Sequence, residues 1–157
     1  MSASDPAQLA QTLRPTITRL YLALRRRAPS VELTAAQTSA LSVLADHGPM
    51  RMGVFATRES IRMPTATSVI DGLTKHDLVE RRPDPDDRRA VLVGLTDHGR
   101  TLVRQIREER DVILTGALAA LDDQQREAIA AAGPALQALR DHLDNHPVSH
   151  PARPASA

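Results

Sequence analysis

The sequence predicts a mainly α-helical protein in which one small β-hairpin interrupts a series of six helices. Apolar residues recur at helical spacing through long segments near both ends of the chain, and capping residues precede several of these segments. One stretch, from Arg81 to Thr96, instead combines prolines, clustered charges and an alternating apolar run, the pattern of a hairpin. Aromatic residues make up only 1% of the chain, so the core must consist of Leu, Val, Ile and Ala.

The composition of the 157 residues is that of an ordinary globular domain, 41% hydrophobic and 25% charged, with a net charge of +1. The absence of cysteine excludes disulfides, thiol chemistry and Cys-ligated zinc. No signal-peptide pattern opens the chain, and no apolar run approaches the ~20 residues of a membrane span. We therefore expect a cytoplasmic protein, and a charge near zero neither requires nor excludes nucleic acid as a partner.

The first helix is predicted to begin after Asp5, with Pro6 in its first turn, and Pro15 predicts a kink or a break within it. A capping box of Thr34 and Gln37 opens the second helix, which ends at His47-Gly48-Pro49. A short third helix is expected from about Gly53 to Glu59. The fourth begins at Pro64 and ends near His76. The apolar residues that it is expected to bury are Val69, Ile70 and Leu73, together with Leu78 just after its end.

The hairpin is predicted to consist of a strand from Val79 to Arg81 and a second from Ala90 to Leu95, with Val91, Val93 and Leu95 facing one side. The segment between the strands is too rich in proline for a two-residue turn and is expected to protrude as a loop. Thr96 then caps a fifth helix of about 24 residues. Asp122 opens a sixth helix, in which Gly133-Pro134 predicts a kink.

The terminal helices carry apolar stripes that find little to pack against within their own chain, which predicts a homodimer. Residues 5–32 and 97–145 are therefore assigned to a helical dimerisation region. Residues 33–96 form a separate lobe, and residues 146–157 are expected to be a disordered tail.

Two helices joined by a short turn and followed by a hairpin constitute a winged helix-turn-helix, whose second helix enters the major groove of DNA. The side chains at the start of that helix can contact phosphates and bases, and the methyl of Ala66 can pack on a thymine. The predicted contacts are Thr65, Ala66, Thr67 and Ser68. The alternative is that this Ser/Thr cluster is only the ordinary start of a helix.

The loop of the hairpin carries Arg88 and Arg89, which can reach a groove that the helix does not occupy; a narrow minor groove attracts guanidinium groups. Asp84, Asp86 and Asp87 are interpreted as the carboxylates that hold these arginines in position. The alternative is a solvated charged loop without a ligand.

The run from Leu33 to Gly99 resembles the MarR family of bacterial transcriptional regulators. The similarity is carried by LTAAQTSALSVLADHGPM and by MPTATSVIDGLTKHDLVERRPDPDDRRAVLVGLTDHGR. Its most specific part is Asp87-Arg88-Arg89, which matches the family's D-x-R element ahead of an apolar strand that ends in Leu-Thr and is followed by x-x-Gly. The resemblance implies an obligate dimer that binds a palindromic DNA operator through a winged helix on each side.

By position, the resemblance makes Arg89 the minor-groove arginine and Asp87 its orienting partner, and it places Thr65, Thr67 and Ser68 on the recognition helix. Many members have arginine where this chain has Ser68, a departure that bears on sequence preference and affinity. The family also implies repression that a small, often anionic aromatic effector relieves. The residues of the first helix that could line an effector cleft are Arg14, Arg19, Tyr21 and Arg25.

Three other function classes were compared with this one. His142, His146 and His150 recur at every fourth residue, but Pro147 interrupts them, so we predict no metal site and no cofactor; a metal-responsive regulator stays an alternative. An enzyme is not expected, because the acidic clusters lie on turns or exposed faces and there is no Gly-rich phosphate loop. A helical dimer that binds only protein would share the apolar stripes but would have no use for arginines at the tip of a wing.

Overall fold

A computed structural model describes residues 5–27, 33–87 and 89–145, and within these ranges the chain forms six helices and three strands. The predicted mainly α-helical class and the winged helix-turn-helix are confirmed. The predicted tail, residues 146–157, lies outside the described residues. In chain order the elements are α1 (Pro6–Arg27), α2 (Ala35–His47), β1 (Met50–Arg51), α3 (Met52–Arg58), α4 (Met63–Lys75), β2 (Val79–Pro83), β3 (Val91–Leu95), α5 (Asp97–Ala119) and α6 (Asp123–Asn145).

Side chains at the start of α2 and α5 satisfy backbone groups that a helix end leaves without partners. At α2, Thr34 Oγ1 accepts a hydrogen bond from the Gln37 N–H at 3.2 Å, and Gln37 Oε1 accepts one from the Thr34 N–H at 2.9 Å. At α5, Thr96 Oγ1 accepts from the Gly99 N–H at 2.9 Å. Both caps were predicted from the sequence, and they fix where the helices that flank the site begin.

The hydrophobic core joins α2, α3, α4, the sheet and the first turns of α5. It is aliphatic apart from one ring. Its largest fully buried side chains are Phe55, Leu41, Ile70, Leu73, Val79 and Val93. Because α4 contributes two of these, the helix that is predicted to read DNA is anchored along its inner face, and its outer face stays exposed.

The sheet has three antiparallel strands in the order β1-β3-β2, rather than the two strands that the sequence predicted. Met50 pairs with Val93, and Arg51 pairs with Leu92. A two-residue strand carries no alternation that could reveal it. The expectation that Val91 lies on the inner face was wrong: Val91 is 46% exposed, because it lies opposite Pro83 at the end of the hairpin next to the wing loop.

Helices α1 and α6 continue across Pro15 and Pro134, although a proline removes one backbone hydrogen bond within each helix. Of the kink or break predicted at Pro15, the break does not occur. Among their described side chains none is buried within one chain. Within the described residues, every helix is too short or too polar to pass through a lipid bilayer.

Candidate nucleic-acid interface

The helix-turn-helix is formed by α3, α4 and the turn between them. The Ile61 N–H donates to Ala56 O at 3.0 Å, and Ser60 takes a left-handed conformation with φ of 54°. Glu59, in the same turn, accepts a hydrogen bond from Ser39 of α2 at 3.0 Å. Partial burial raises the pKa of the Glu59 carboxyl, and the Ser39 hydroxyl opposes that shift. The turn thus connects all three helices of the lobe.

The first turns of α4 present three of the four predicted recognition residues to solvent. Thr65, Thr67 and Ser68 are exposed. The Thr67 hydroxyl donates to Met63 O at 3.0 Å, so its oxygen is left to accept from a base while its methyl can pack on a thymine. Thr65 and Ser68 make no side-chain hydrogen bond with the described residues, so their hydroxyls are available to donate and to accept.

The inclusion of Ala66 among the DNA contacts was wrong. Its side chain is fully buried in the core, so its methyl cannot reach a base. The signal was present in the sequence, because Ala66 precedes Ile70 and Leu73 by four and seven residues, which places all three on one helix face. The opposite face of α4 is the one that is free to meet DNA.

A salt bridge sets the position of the recognition helix relative to the hairpin. Arg81 Nη2 of β2 lies 2.7 Å from Asp71 Oδ1 of α4, with both side chains partly exposed. Exposed pairs contribute little to stability, so its main effect is on orientation.

The wing loop, residues 84–90, is closed by backbone hydrogen bonds between its described residues. The Asp84 N–H donates to Ala90 O at 3.0 Å, and the Ala90 N–H donates to Asp87 O at 2.8 Å. Asp87 Oδ1 accepts from the Arg89 N–H at 3.1 Å. The Arg89 side chain is exposed and makes no hydrogen bond or salt bridge with the described residues. Arg88 lies outside the described residues.

The interpretation of the acids was partly wrong. Asp84 and Asp87 bind the guanidinium of Arg51, on β1, and neither carboxylate binds that of Arg89. Asp87 orients Arg89 through its backbone N–H instead. Three groups hold the pKa of the Asp84 carboxyl below its usual range and outweigh its burial: first the Asp86 N–H, then the Arg51 guanidinium and last the Asp87 N–H. No sequence signal connects Arg51 to a loop more than thirty residues away.

The four residues predicted to line an effector cleft do not form one site in a single chain. Arg14, Tyr21 and Arg25 share one face of α1, but Arg19 lies about 140° away from Arg14 around the helix. None of the four lines the cavity of about 360 Å³ that lies between α2, the end of β3 and the first half of α5.

That cavity has an apolar floor and a rim of mixed charge, to which Glu108 and Asp111 belong as well as arginines. Leu44, Pro49 and Val103 belong to the floor, and Arg104 and Arg107 to the rim. Arg107 is bound to Asp46 at 2.6 Å, whereas the Arg104 guanidinium makes no hydrogen bond with the described residues. The described residues contain no group of three metal-ligating side chains, and His146 and His150 of the histidine series lie outside them.

Comparison with known proteins assigns the chain to a family. A family model described as MarR matches residues 33–91. The uncharacterized HTH-type transcriptional regulator Mb0904 of Mycobacterium bovis is 38% identical over 135 residues, which cover 86% of this chain and 94% of that relative. The chain belongs to the MarR family. It is a DNA-binding transcriptional regulator, as the wing and the recognition helix predicted, and its family and relatives are regulators rather than enzymes.

Two further MarR-type similarities bear on regulation. The HTH-type transcriptional repressor NicR of Pseudomonas putida is 31% identical over 96 residues, 61% of each chain. A solved structure of Bordetella bronchiseptica BpsR, whose DNA binding is regulated by 6-hydroxynicotinic acid, is 30% identical with a TM-score of 0.59. That similarity covers 83% of this chain and 98% of BpsR.

Proposed function

We propose that this MarR-family protein is a homodimeric repressor that binds a palindromic operator in the cytoplasm and is released from it by a small anionic aromatic effector. The observation that carries the proposal is the state of the two DNA-facing elements. The start of α4 presents the exposed hydroxyls of Thr65 and Ser68, which no described residue binds, and the wing presents an exposed Arg89 whose guanidinium no described carboxylate binds.

The two elements are suited to different grooves. Small hydroxyl side chains on α4 permit close approach of the helix to base edges in the major groove. Arg89 carries a positive charge on a loop tied by hydrogen bonds at its base, which suits insertion into a narrow minor groove. Asp84 and Asp87 belong to the wing loop, and their pairing with Arg51 reduces the repulsion between them and DNA phosphates.

The homodimer is supported by the terminal helices. Large apolar side chains are exposed along α1 and α6, on helices that bury no described side chain within one chain. They are Leu9, Ile17, Leu20, Leu22, Ile129, Leu136, Leu139 and Leu143. Contiguous exposed apolar surface of this kind marks a protein interface, and a second copy presents the same stripes for a two-fold arrangement.

The effector is assigned to the cavity between α2 and α5. Its apolar floor fits an aromatic ring, and Arg104 offers an unpaired guanidinium to a carboxylate. The cavity adjoins both the DNA-binding lobe and the long α5, so a bound molecule would change how the two are held together. NicR is named a repressor, and BpsR responds to 6-hydroxynicotinic acid, which is an aromatic carboxylic acid.

Selection of bound fragments from a random duplex pool tests the proposal. We expect the full chain to recover an inverted repeat with half-sites about one helical turn apart. Binding to the recovered duplex should weaken steeply between low and moderate salt, and a panel of small phenolic and pyridine carboxylic acids should contain a compound that releases it. A helical dimer that binds only protein would recover no sequence.

A further inference from the structure

Arg51 occupies a position between two carboxylates of the wing loop. Its Nε and Nη2 lie 2.8 Å and 2.6 Å from Asp84 Oδ2, and Nη2 lies 3.7 Å from Asp87 Oδ2. Asp84 is almost fully buried although it is charged, which is uncommon for an aspartate unless it is paired. One guanidinium therefore joins the first strand of the sheet to both ends of the acidic segment in the wing.

Each of the two carboxylates directs one oxygen towards Arg51 and uses the other to accept a hydrogen bond from a backbone N–H of the loop. Asp84 uses Oδ2 for Arg51 and Oδ1 to accept from the Asp86 N–H at 3.0 Å. Asp87 directs Oδ2 towards Arg51 and uses Oδ1 to accept from the Arg89 N–H at 3.1 Å. The backbone of Arg89 is thus linked to Arg51 through a single carboxylate, and a second carboxylate fixes the preceding turn to the same cation.

The guanidinium itself is attached to a rigid part of the molecule. Arg51 pairs with Leu92 of the central strand, and its neighbour Met50 is buried and pairs with the fully buried Val93. A loop that is held only by its two ends samples many conformations. Its conformational entropy falls when DNA binding selects one of them, and this loss weakens binding. Contacts from β1 reduce that cost before binding.

We propose that Arg51 is a positioning residue for DNA binding, which holds the wing loop through Asp84 and Asp87 so that Arg89 is directed into the minor groove. The inference rests on the proposed function, because it requires that Arg89 contacts the operator. Arg51 would act through Arg89, because two of its three guanidinium nitrogens, Nε and Nη2, are already engaged by carboxylates.

The sheet supplies a matched control. Arg82 of β2 pairs with Leu92 from the other side, so Arg51 and Arg82 flank the same residue of the central strand. Their side chains are 50% and 54% exposed, and each forms a salt bridge, but Arg82 binds Glu80 of its own strand instead of the wing acids. Arg51→Gln and Arg82→Gln therefore remove the same charge from equivalent places.

The experiment measures binding of the full-length dimer to the duplex recovered by selection, with Arg51→Gln and Arg82→Gln each made in the wild-type and in the Arg89→Ala background. Asp84→Asn is carried through the same comparison, so that the test stands even if Arg51→Gln does not fold. We expect Arg51→Gln and Asp84→Asn to weaken binding roughly tenfold in the wild type and less than about twofold once Arg89 is gone, since coupled residues are not additive. Arg82→Gln should cost the same small factor in both backgrounds.

The outcomes separate the two proposals. If Arg89→Ala leaves binding to the duplex unchanged, the minor-groove role in the proposed function is wrong, and the role of Arg51 is overturned with it. If Arg89→Ala weakens binding but Arg51→Gln costs no more than Arg82→Gln, only the positioning role is overturned. Equal losses from Arg51→Gln in both backgrounds would show an independent DNA contact and would also overturn it.

Discussion

The Arg89 side chain is exposed on the wing loop, and the neighbouring Asp84 and Asp87 bind Arg51 instead. Its backbone is fixed by Asp87, and its guanidinium makes no bond with the described residues, so DNA would not have to displace an internal partner. That this arginine contacts DNA stays a prediction, whereas the expected pairing of Asp84 and Asp87 with its guanidinium was wrong. Charged side chains that are distant in sequence meet only after folding, and neither Asp84 nor Arg51 belongs to a local pattern that reveals their pairing.

Replacement of Arg89 by alanine should weaken binding to the selected duplex by about 1–3 kcal/mol per half-site. The loss arises because one minor-groove guanidinium is removed from each wing. The thermal unfolding temperature and the dimer mass should not change, since the side chain has no described internal contact. Fluorescence anisotropy titrations, with calorimetry and light scattering on the same samples, check both statements; a variant that binds as tightly as the wild type would contradict the first.

The contribution of Asp84 to the free energy of unfolding should depend on pH. The pKa of the Asp84 carboxyl is lowered, first by the Asp86 N–H and then by Arg51, so the charged form is favoured in the folded state. A carboxyl with a lowered folded pKa adds stability that is present at neutral pH and is lost as the pH falls through that pKa. The difference in free energy of unfolding between wild type and Asp84→Asn should therefore be largest near neutral pH and should shrink below the normal range for aspartate. Urea unfolding across that range measures it, and a constant difference would contradict the assignment.

At the scale of elements, the sequence predicted helices well because their starts are determined locally. Asp122 Oδ1 accepts from the Gln125 N–H at 2.7 Å at the start of α6, another cap within four residues of sequence. Strand β1 was missed because two residues carry no periodicity, and the predicted break at Pro15 did not occur. Ala66 was misassigned because the residue types at the start of α4 were weighed without the i, i+4, i+7 spacing that places it on the inner face.

The junction between α4 and α5 depends on close backbone contact at Gly99. Leu78 O accepts the Thr96 N–H at 3.1 Å, and a Cβ added at Gly99 would lie only 2.1 Å from that same oxygen. The gain in helix propensity from alanine, about 1 kcal/mol, cannot offset a clash with backbone.

Gly99→Ala should therefore lower the free energy of unfolding by roughly 1–3 kcal/mol, the usual cost of overpacking. Gly116→Ala, on the same helix, is the matched control because an added Cβ meets nothing within 4 Å. It should raise stability by up to about 1 kcal/mol. Urea denaturation of both variants decides the matter, and a Gly99→Ala protein as stable as Gly116→Ala would contradict the close approach of Gly99 to Leu78.

At the scale of the whole molecule, the long terminal helices have a stable arrangement only if their apolar stripes are covered. Leu136→Glu places a charge within the stripe of α6 and should yield monomers that bind the selected duplex at least about tenfold more weakly, because one half-site is then bound without the other. Ala138→Glu adds the same charge on the opposite face of the helix and should remain a dimer. Light scattering and anisotropy report both properties. A Leu136→Glu protein that stays dimeric would show that α6 is not part of the interface.

Footprinting of the selected duplex tests the central claim most directly. Hydroxyl radicals report protection of the sugars along the minor groove, and dimethyl sulfate reports protection of guanine N7 in the major groove. The claim is that the two recognition helices and the two wings of one dimer bind a single operator at the same time. We expect two symmetry-related major-groove segments flanked by two protected minor-groove windows, and Arg89→Ala should lose the minor-groove windows alone. A footprint on one side only, or windows that persist without Arg89, would contradict the account.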